Sequence, residues 1–154
     1  MYLLIPFLFW LPAGDSGWTW PVEGTHLVTN SFDKPAQNWL PGHRGVDLDA
    51  SAGRIVVAAG KGKVLFAGFI AGKGVITISH GELHTTYEPV LPLVNVGQTV
   101  KKGQRIGYVS PGVSHCSVGV SPTCLHWGLK RGKEYLNPLL LVRPHARLLP
   151  QFKR

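Results

Sequence analysis

Short apolar runs separated by glycine-containing turns constrain the fold of this chain more than any other feature of its sequence. The runs RIVVAA, KVLFAGF, GVITISH and LHTTYEP are six or seven residues long, and turns at residues 60–62 and 72–74 lie between them. Runs of this length, rich in β-branched residues and bounded by glycine, are typical of strands. We expect no helix longer than about two turns. The sequence therefore predicts an all-β fold, a mostly antiparallel β-sheet groove or sandwich with little helix.

The size and charge of the chain limit the classes of function that it can have. Its 154 residues suffice for one domain with a sizeable core, and 19 glycines and 12 prolines agree with many turns. The 16 lysines and arginines exceed the 8 aspartates and glutamates, which gives a net charge of +8. Such an excess indicates either a soluble surface or affinity for a polyanion. Nucleic acid, anionic lipid and an anionic cell-wall polymer all qualify as this polyanion. Because basic and aromatic side chains do not interleave along a stripe, we expect no nucleic acid.

The first 13 residues form an apolar run, MYLLIPFLFWLPA, with the length of a signal-peptide core. This run is too short for an ordinary transmembrane helix, and no lysine or arginine precedes it. The alternatives are a short membrane anchor and the first strand of a cytosolic domain. We expect a secreted or cell-wall-associated monomer without an integral membrane domain. The predicted order is the apolar run 1–13, a linker 14–23, the folded domain 24–142 and a basic tail 143–154.

The chain has two cysteines, Cys116 and Cys124, with seven residues between them. A closely spaced pair in an exported protein is typical of a disulfide bond. Closing so short a loop would stabilise the fold by about 2–3 kcal/mol. The alternative is a pair of metal ligands, but this spacing does not match that of zinc-binding cysteine pairs. The sequence therefore predicts a disulfide between Cys116 and Cys124.

Three side chains that are common zinc ligands occur in two separate segments. His43 and Asp47 lie in GHRGVDLDA, and His126 lies in CLHWG. In a straight strand the first two would be about 13 Å apart, whereas ligands of one zinc each lie about 2 Å from it. We expect Gly42 and Gly45 to let the chain curl, since glycine tolerates backbone angles that other residues avoid. Two imidazoles and one carboxylate leave a fourth coordination position open, as in catalytic zinc sites.

Each part of this set has a structural alternative. His43 and Asp47 alone also fit a surface histidine followed by a turn aspartate. A single strand histidine such as His126 is more often an interior group with a hydrogen-bond partner than a metal ligand. The three together, with glycines around the first two and β-rich runs between the segments, favour the metal interpretation.

Five segments of the chain occur in the order in which a known family has them: GHRGVDLDA, IVVAAGKGKVLFAG, GVITISHGELHTTYE, VNVGQTVKKGQRIGYV and LHWGL. On these segments, which lie within residues 24–142, the chain resembles the lysostaphin/LytM-type zinc metalloendopeptidases, which cut peptide cross-bridges in bacterial peptidoglycan. The resemblance implies the duplicated hybrid motif fold, an antiparallel β-sheet groove with the metal on its floor. It also implies that His43, Asp47 and His126 bind one zinc ion.

Two positions depart from the family pattern. The family has a histidine two residues before His126, where this chain has Cys124, and a histidine two residues after the tyrosine of TTYEP, where this chain has Pro89. Both family histidines handle protons during the reaction. We consider three residues as replacement proton carriers, although each of them also fits an ordinary surface position: Glu88, His84 and His115.

Three classes of function remain. The first is an exported zinc peptidase that acts on cell-wall peptides, and the second is a catalytically silent relative that binds the wall or regulates a partner hydrolase. The third is a carrier domain, because VNVGQTVKKGQRIGYV is similar to the hairpin of biotinyl and lipoyl domains. Those hairpins usually present a lysine beside methionine, and the only methionine here is Met1, so Lys101 and Lys102 are weak candidates. We expect the peptidase, with the silent module as the alternative.

Aromatic side chains outside the candidate site have simpler interpretations. We expect Tyr87 and Trp127 to pack in the core or in the groove wall. Trp18, Trp20 and Trp39 are expected to stay partly exposed, where aromatic rings beside a groove can stack on sugar or peptide.

Overall fold

A computed structural model gives the structure of residues 17–24, 26–111, 116 and 123–143. Within these residues the chain forms eleven strands and one short helix. The strands are β1 (Val28–Asn30), β2 (Gly45–Asp49), β3 (Ile55–Val57), β4 (Gly62–Ile70), β5 (Lys73–Ser79), β6 (Leu83–Glu88), β7 (Val90–Pro92), β8 (Thr99–Val100), β9 (Arg105–Val109), β10 (Cys124–Arg131) and β11 (Glu134–Leu136), and the helix is α1 (Leu139–Val142). The predicted all-β class is confirmed. In this part of the chain, no helix is long and apolar enough to cross a membrane.

The strands form two antiparallel sheets. The larger sheet has the order β1-β2-β10-β6-β5-β4-β8, and β11 pairs with β10 outside this path. The smaller sheet has the order β3-β9-β7. Strand β10 lies between β2 and β6, so it has neighbours from the early and the middle part of the sequence. This order brings the two segments with candidate metal ligands into direct contact.

One hydrophobic core contains side chains from both sheets. Trp127 and Leu125 of β10, Tyr87 of β6 and Leu48 of β2 are fully buried from the larger sheet, and Ile106 of β9 is fully buried from the smaller one. Burying one leucine or isoleucine in this way stabilises the fold by on the order of 2 kcal/mol. Because side chains alternate along a strand, the residues between the buried ones of β10 face away from this core.

A chain of hydrogen bonds links β6 to the segment that precedes β4. The Tyr87 hydroxyl accepts from the backbone N–H of Ala59 at 3.0 Å and lies 2.8 Å from Oγ1 of Thr85. Thr85 in turn lies 2.8 Å from Nε2 of His80, whose Nδ1 donates to the carbonyl oxygen of Lys61 at 2.7 Å. Burial raises the pKa of Tyr87 to about 12 and lowers the pKa of His80. When His80 is neutral, every donor in this series of hydrogen bonds has an acceptor.

Residues 17–22, within the segment predicted to be a linker, are packed against the folded domain. The backbone N–H of Thr19 donates to the carbonyl oxygen of Ala59 at 2.8 Å, and Val22 forms a bridge with Val56. The Val22 side chain is 1% exposed, so the apolar residue gains more by joining the core than by staying in a solvated linker. The packed structure therefore begins before residue 24.

Candidate metal centre

The larger sheet places three polar side chains next to each other on one face. In the pairing of β10 with β2, His126 lies opposite Asp47, and in the pairing of β10 with β6 it lies opposite Glu88. Residues directly opposite each other in an antiparallel pair share a face and have Cβ atoms about 5 Å apart. The histidine of the middle strand therefore has a carboxylate residue on each side.

His43, Asp47 and His126 converge on one point. The Nδ1 atom of His126 lies 2.8 Å from Oδ1 of Asp47, and Nε2 of His43 lies 3.2 Å from both of these atoms. Asp47 is 1% exposed, and the two imidazoles are partly buried. Ligand atoms of one tetrahedral zinc lie about 3.3 Å apart. The three atoms therefore need to separate by only a few tenths of an ångström to hold the ion.

A backbone group sets the tautomer of His43. Its Nδ1 atom donates a hydrogen bond to the carbonyl oxygen of Ser31 at 2.7 Å, so Nε2 of the neutral ring carries a lone pair. That lone pair faces Oδ1 of Asp47, which is also an acceptor. Two acceptors at hydrogen-bond distance need a cation or a shared proton between them. A carbonyl that fixes the ring in this way is typical of metal-binding histidines, and the site therefore fits a metal ion.

Gly42 and Gly45 allow neighbouring atoms to come close to the backbone. The expectation that they curl the chain through unusual backbone angles is therefore wrong. Neither Gly42 nor Gly45 has a positive φ. A Cβ atom on Gly45 would collide with the carbonyl oxygen of Trp127 and would lie 2.8 Å from Nε2 of His126. A Cβ atom on Gly42 would lie 2.7 Å from the carbonyl oxygen of Asp33. Glycine is needed at position 45 because β2 and β10 come close together at the imidazole, and at position 42 because the backbone of Asp33 comes close.

Glu88 is the candidate proton carrier that the fold places beside the triad. It ends β6 opposite His126, and its side chain is 29% exposed. One carboxylate oxygen lies 3.9 Å from Nζ of Lys73, whose side chain is 47% exposed. An ion pair this long and this exposed contributes little to stability. The carboxylate is therefore partly open to solvent rather than held in a tight pair.

The other two candidate proton carriers are His84 and His115. His84 lies on the same face as Glu88, but it pairs with Lys130, four residues along β10 from His126. Four residues of strand extend over about 13 Å, so His84 is distant from the triad. His115 lies outside the residues that the structure describes.

Cys124 is bonded to Cys116, so the predicted disulfide is confirmed. Cys124 lies two residues before His126 on the same face of β10, and its backbone partner on β2 is Asp49. The sulfur atoms of both cysteines and a carboxylate oxygen of Asp47 all lie within 4.8 Å of one another. The disulfide therefore borders the candidate metal ligands. A disulfide sulfur cannot form a thiolate, so Cys124 is not a base in this form.

The loop that precedes β2 contacts the β10–β11 hairpin, which no sequence pattern predicts. Lys34 forms a 2.7 Å ion pair with Glu134, which lowers the pKa of that carboxyl, and the Arg44 guanidinium lies 5.5 Å from the centre of the Tyr135 ring. A pocket of about 280 Å³ lies between the loop and the hairpin. Trp39 lines it and is 79% exposed, as predicted for this ring.

The chain is similar to known proteins over most of its length. The sequence profile of Peptidase family M23 matches residues 41–138, which include the whole triad. An uncharacterised protein of Mycobacterium tuberculosis (strain H37Rv) is 42% identical over 136 residues, which are 85% of this chain and 53% of that protein. The murein hydrolase activator NlpD of Escherichia coli (strain K12) is 31% identical over 140 residues, which are 88% of this chain and 32% of that protein.

A solved structure has the same fold. The crystal structure of a zinc-containing peptidase from Vibrio cholerae superposes with a TM-score of 0.63 at 24% sequence identity, covering 76% of this chain and 37% of that chain. The present chain spans about half the length of the Mycobacterium relative and about a third of NlpD.

Proposed function

Because this chain belongs to peptidase family M23, we propose that it acts at the bacterial cell wall as a zinc-dependent peptidase of peptidoglycan cross-links. Membership also confirms the resemblance to lysostaphin/LytM-type enzymes that the sequence segments indicated. One observation carries the proposal: Nε2 of His43, Oδ1 of Asp47 and Nδ1 of His126 lie within 3.2 Å of one another.

The donor set supports zinc as the ion. Two imidazole nitrogens and one carboxylate oxygen are donors of catalytic zinc sites, in which a fourth position stays available. Zinc in such a site polarises a peptide carbonyl and lowers the pKa of water towards neutrality. The zinc-containing peptidase from Vibrio cholerae has the same fold, which supports the assignment.

We assign proton transfer to Glu88. This assignment is supported by the pairing of Glu88 with His126, on the opposite side of β10 from Asp47. As a carboxylate, Glu88 accepts the proton of the attacking water, and as a carboxylic acid it delivers that proton to the leaving amine. The residue is thus regenerated in each turnover. This role replaces the two histidines that Cys124 and Pro89 displace.

We also propose that the protein is exported and stays in the cell envelope. The apolar run 1–13 supports export, and the disulfide supports an oxidising compartment. The similarity to NlpD, which is named as a murein hydrolase activator, supports the cell wall as the site of action. The net charge of +8 favours association with an anionic wall polymer. The monomeric state, the end of the domain at residue 142 and the tail 143–154 stay predictions.

Release of soluble fragments from dye-labelled, purified peptidoglycan tests the proposal. We expect zinc-dependent release that a chelator stops. The His43→Ala variant should lose this release, and the His84→Ala variant, which changes a histidine about 13 Å away, should retain it. A zinc-loaded protein that releases nothing from walls of several cross-link types would contradict hydrolysis.

The second candidate function is a silent module that binds the wall or regulates a partner hydrolase. The observation that favours it is the disulfide at Cys124, which removes one family proton carrier while Pro89 removes the other. This candidate predicts that the protein co-sediments with insoluble peptidoglycan and leaves it intact. Fragment release that disappears in His43→Ala would eliminate it.

A further inference from the structure

We propose that reduction of the Cys116–Cys124 disulfide converts the open three-ligand zinc site into a closed four-ligand site, with the Cys124 thiolate as the new ligand. This inference rests on the proposed zinc triad. It adds a metal ligand whose availability depends on the redox state of the protein.

The position of Cys124 on β10 supports this role. Cys124 and His126 are alternate residues of one strand, so their side chains share a face. The Cys124 sulfur lies within 4.8 Å of a carboxylate oxygen of Asp47. A thiolate and a carboxylate oxygen on one zinc lie about 3.5 Å apart. The sulfur therefore has to approach this oxygen by no more than about 1.3 Å. Once the disulfide opens, rotation of the Cys124 side chain can also move the sulfur towards the imidazole of His126 on the same face.

The Cys124 sulfur differs as a zinc ligand between the oxidised and the reduced protein. A disulfide sulfur is neutral and a poor ligand, so the oxidised protein offers His43, Asp47 and His126 only. A thiolate is a strong zinc ligand, and both cysteines are buried beside the triad, where few waters compete. Four protein ligands close the position that catalysis needs. Reduction is therefore expected to strengthen metal binding and to stop hydrolysis.

A dithiol reductant supplies the two electrons. Its first thiolate attacks the Cys116 sulfur, and the disulfide bond breaks with its electron pair going to Cys124. The second thiol of the reductant then displaces Cys116, which takes up a proton, and the reductant leaves as a disulfide. Cys124 stays as a thiolate on the metal, so the other proton of the reductant is released to solvent.

Cobalt(II) is the probe for this switch, because a thiolate ligand gives cobalt a strong charge-transfer absorption in the near ultraviolet. The oxidised protein and the protein reduced with dithiothreitol, freed of reductant without air, are each titrated with cobalt. We expect the oxidised form to bind cobalt without this absorption. The reduced form should show it and should bind at least roughly tenfold more tightly.

Two variants identify the sulfur. Cys116→Ser leaves Cys124 as a free thiol and should show the absorption without any reductant, whereas Cys124→Ser should bind cobalt through the triad without the absorption. Circular dichroism checks that both variants fold. Cobalt binding by the reduced protein and by Cys116→Ser without the absorption would overturn the switch and leave the triad intact. Absence of cobalt binding in both redox forms would overturn the triad as well, and absorption in Cys124→Ser would assign the ligand to Cys116 instead.

Discussion

The Nδ1 atom of His43 donates a hydrogen bond to the carbonyl oxygen of Ser31 across 2.7 Å, and the opposite nitrogen of the same ring faces Asp47. A single backbone group thus decides which nitrogen is available to a metal. The histidine lies just before β2, where a straight strand would have carried it away from Asp47. The contact holds the ring in place before any ion arrives, so less ordering is left for the binding step.

Asp47→Asn should weaken zinc binding by at least roughly 100-fold, because the amide lacks the negative charge that offsets the ion. Isothermal titration calorimetry of the metal-free protein measures this change directly. Asp33→Asn is the matched control, since Asp33 is exposed on the neighbouring loop, and it should bind zinc as the parent protein does. Equal affinities of the Asp47 variant and the parent would contradict the triad.

Gly45→Ala should lower the free energy of unfolding by about 2–3 kcal/mol, since the new methyl group collides with the Trp127 backbone and with the His126 ring. It should also weaken zinc binding by displacing that ring. The control is Gly68→Ala on β4, whose new Cβ would lie 3.3 Å from the tip of the Phe66 side chain, which can move. Urea unfolding measures the free energy of unfolding of both variants. Equal losses in Gly45→Ala and Gly68→Ala would argue against crowding at the imidazole.

Glu88→Gln should reduce kcat of peptidoglycan hydrolysis by about 10²–10⁴-fold, because glutamine cannot accept the proton of water. The zinc content of the purified protein should not change, since Glu88 is not a ligand. Glu82→Gln alters a glutamate in the exposed turn before β6 and should leave kcat as it is. A Glu88 variant with full activity would move proton transfer to another residue.

Acidification should destabilise the protein through His80. Burial lowers the pKa of His80 in the folded state below its ordinary value of 6.5, so the unfolded chain binds a proton more readily. The stability that neutral His80 contributes is fully present above about pH 6.5 and is lost as the pH falls towards its lowered folded-state pKa. Protonation would also leave a hydroxyl hydrogen without an acceptor in the pair of Thr85 and Tyr87.

Urea unfolding across this pH range measures the effect. The parent protein should lose more stability on acidification than His80→Gln, which has no titrating group at this position. Tyr87→Phe separates titration from hydrogen bonding: it should cost about 1–3 kcal/mol at any pH, because the Ala59 N–H loses its acceptor. Parallel pH profiles for the parent and His80→Gln would refute the assignment to His80.

Much of the fold could be predicted from local patterns. Glycine-bounded apolar runs identified the strands, because alternation and turn chemistry are properties of neighbouring residues. The disulfide could be predicted because the chain has only two cysteines. Strand β11 and the packing of Val22 could not be predicted, since a three-residue strand and a single buried valine have no periodic pattern.

By itself the sequence determined the β-rich class, the candidate ligands His43, Asp47 and His126, and the two positions where the family histidines are absent. Only the tertiary structure decided that Glu88 lies beside His126 while His84 lies four residues further along β10. Alternation places both on one face, but the distance between them and the triad depends on the pairing register of β6 and β10, which local sequence does not encode. The hydrogen bond from His43 to the carbonyl of Ser31 could not be predicted for a related reason. Every residue has the same backbone acceptor, and only the fold selects which one orients a ligand.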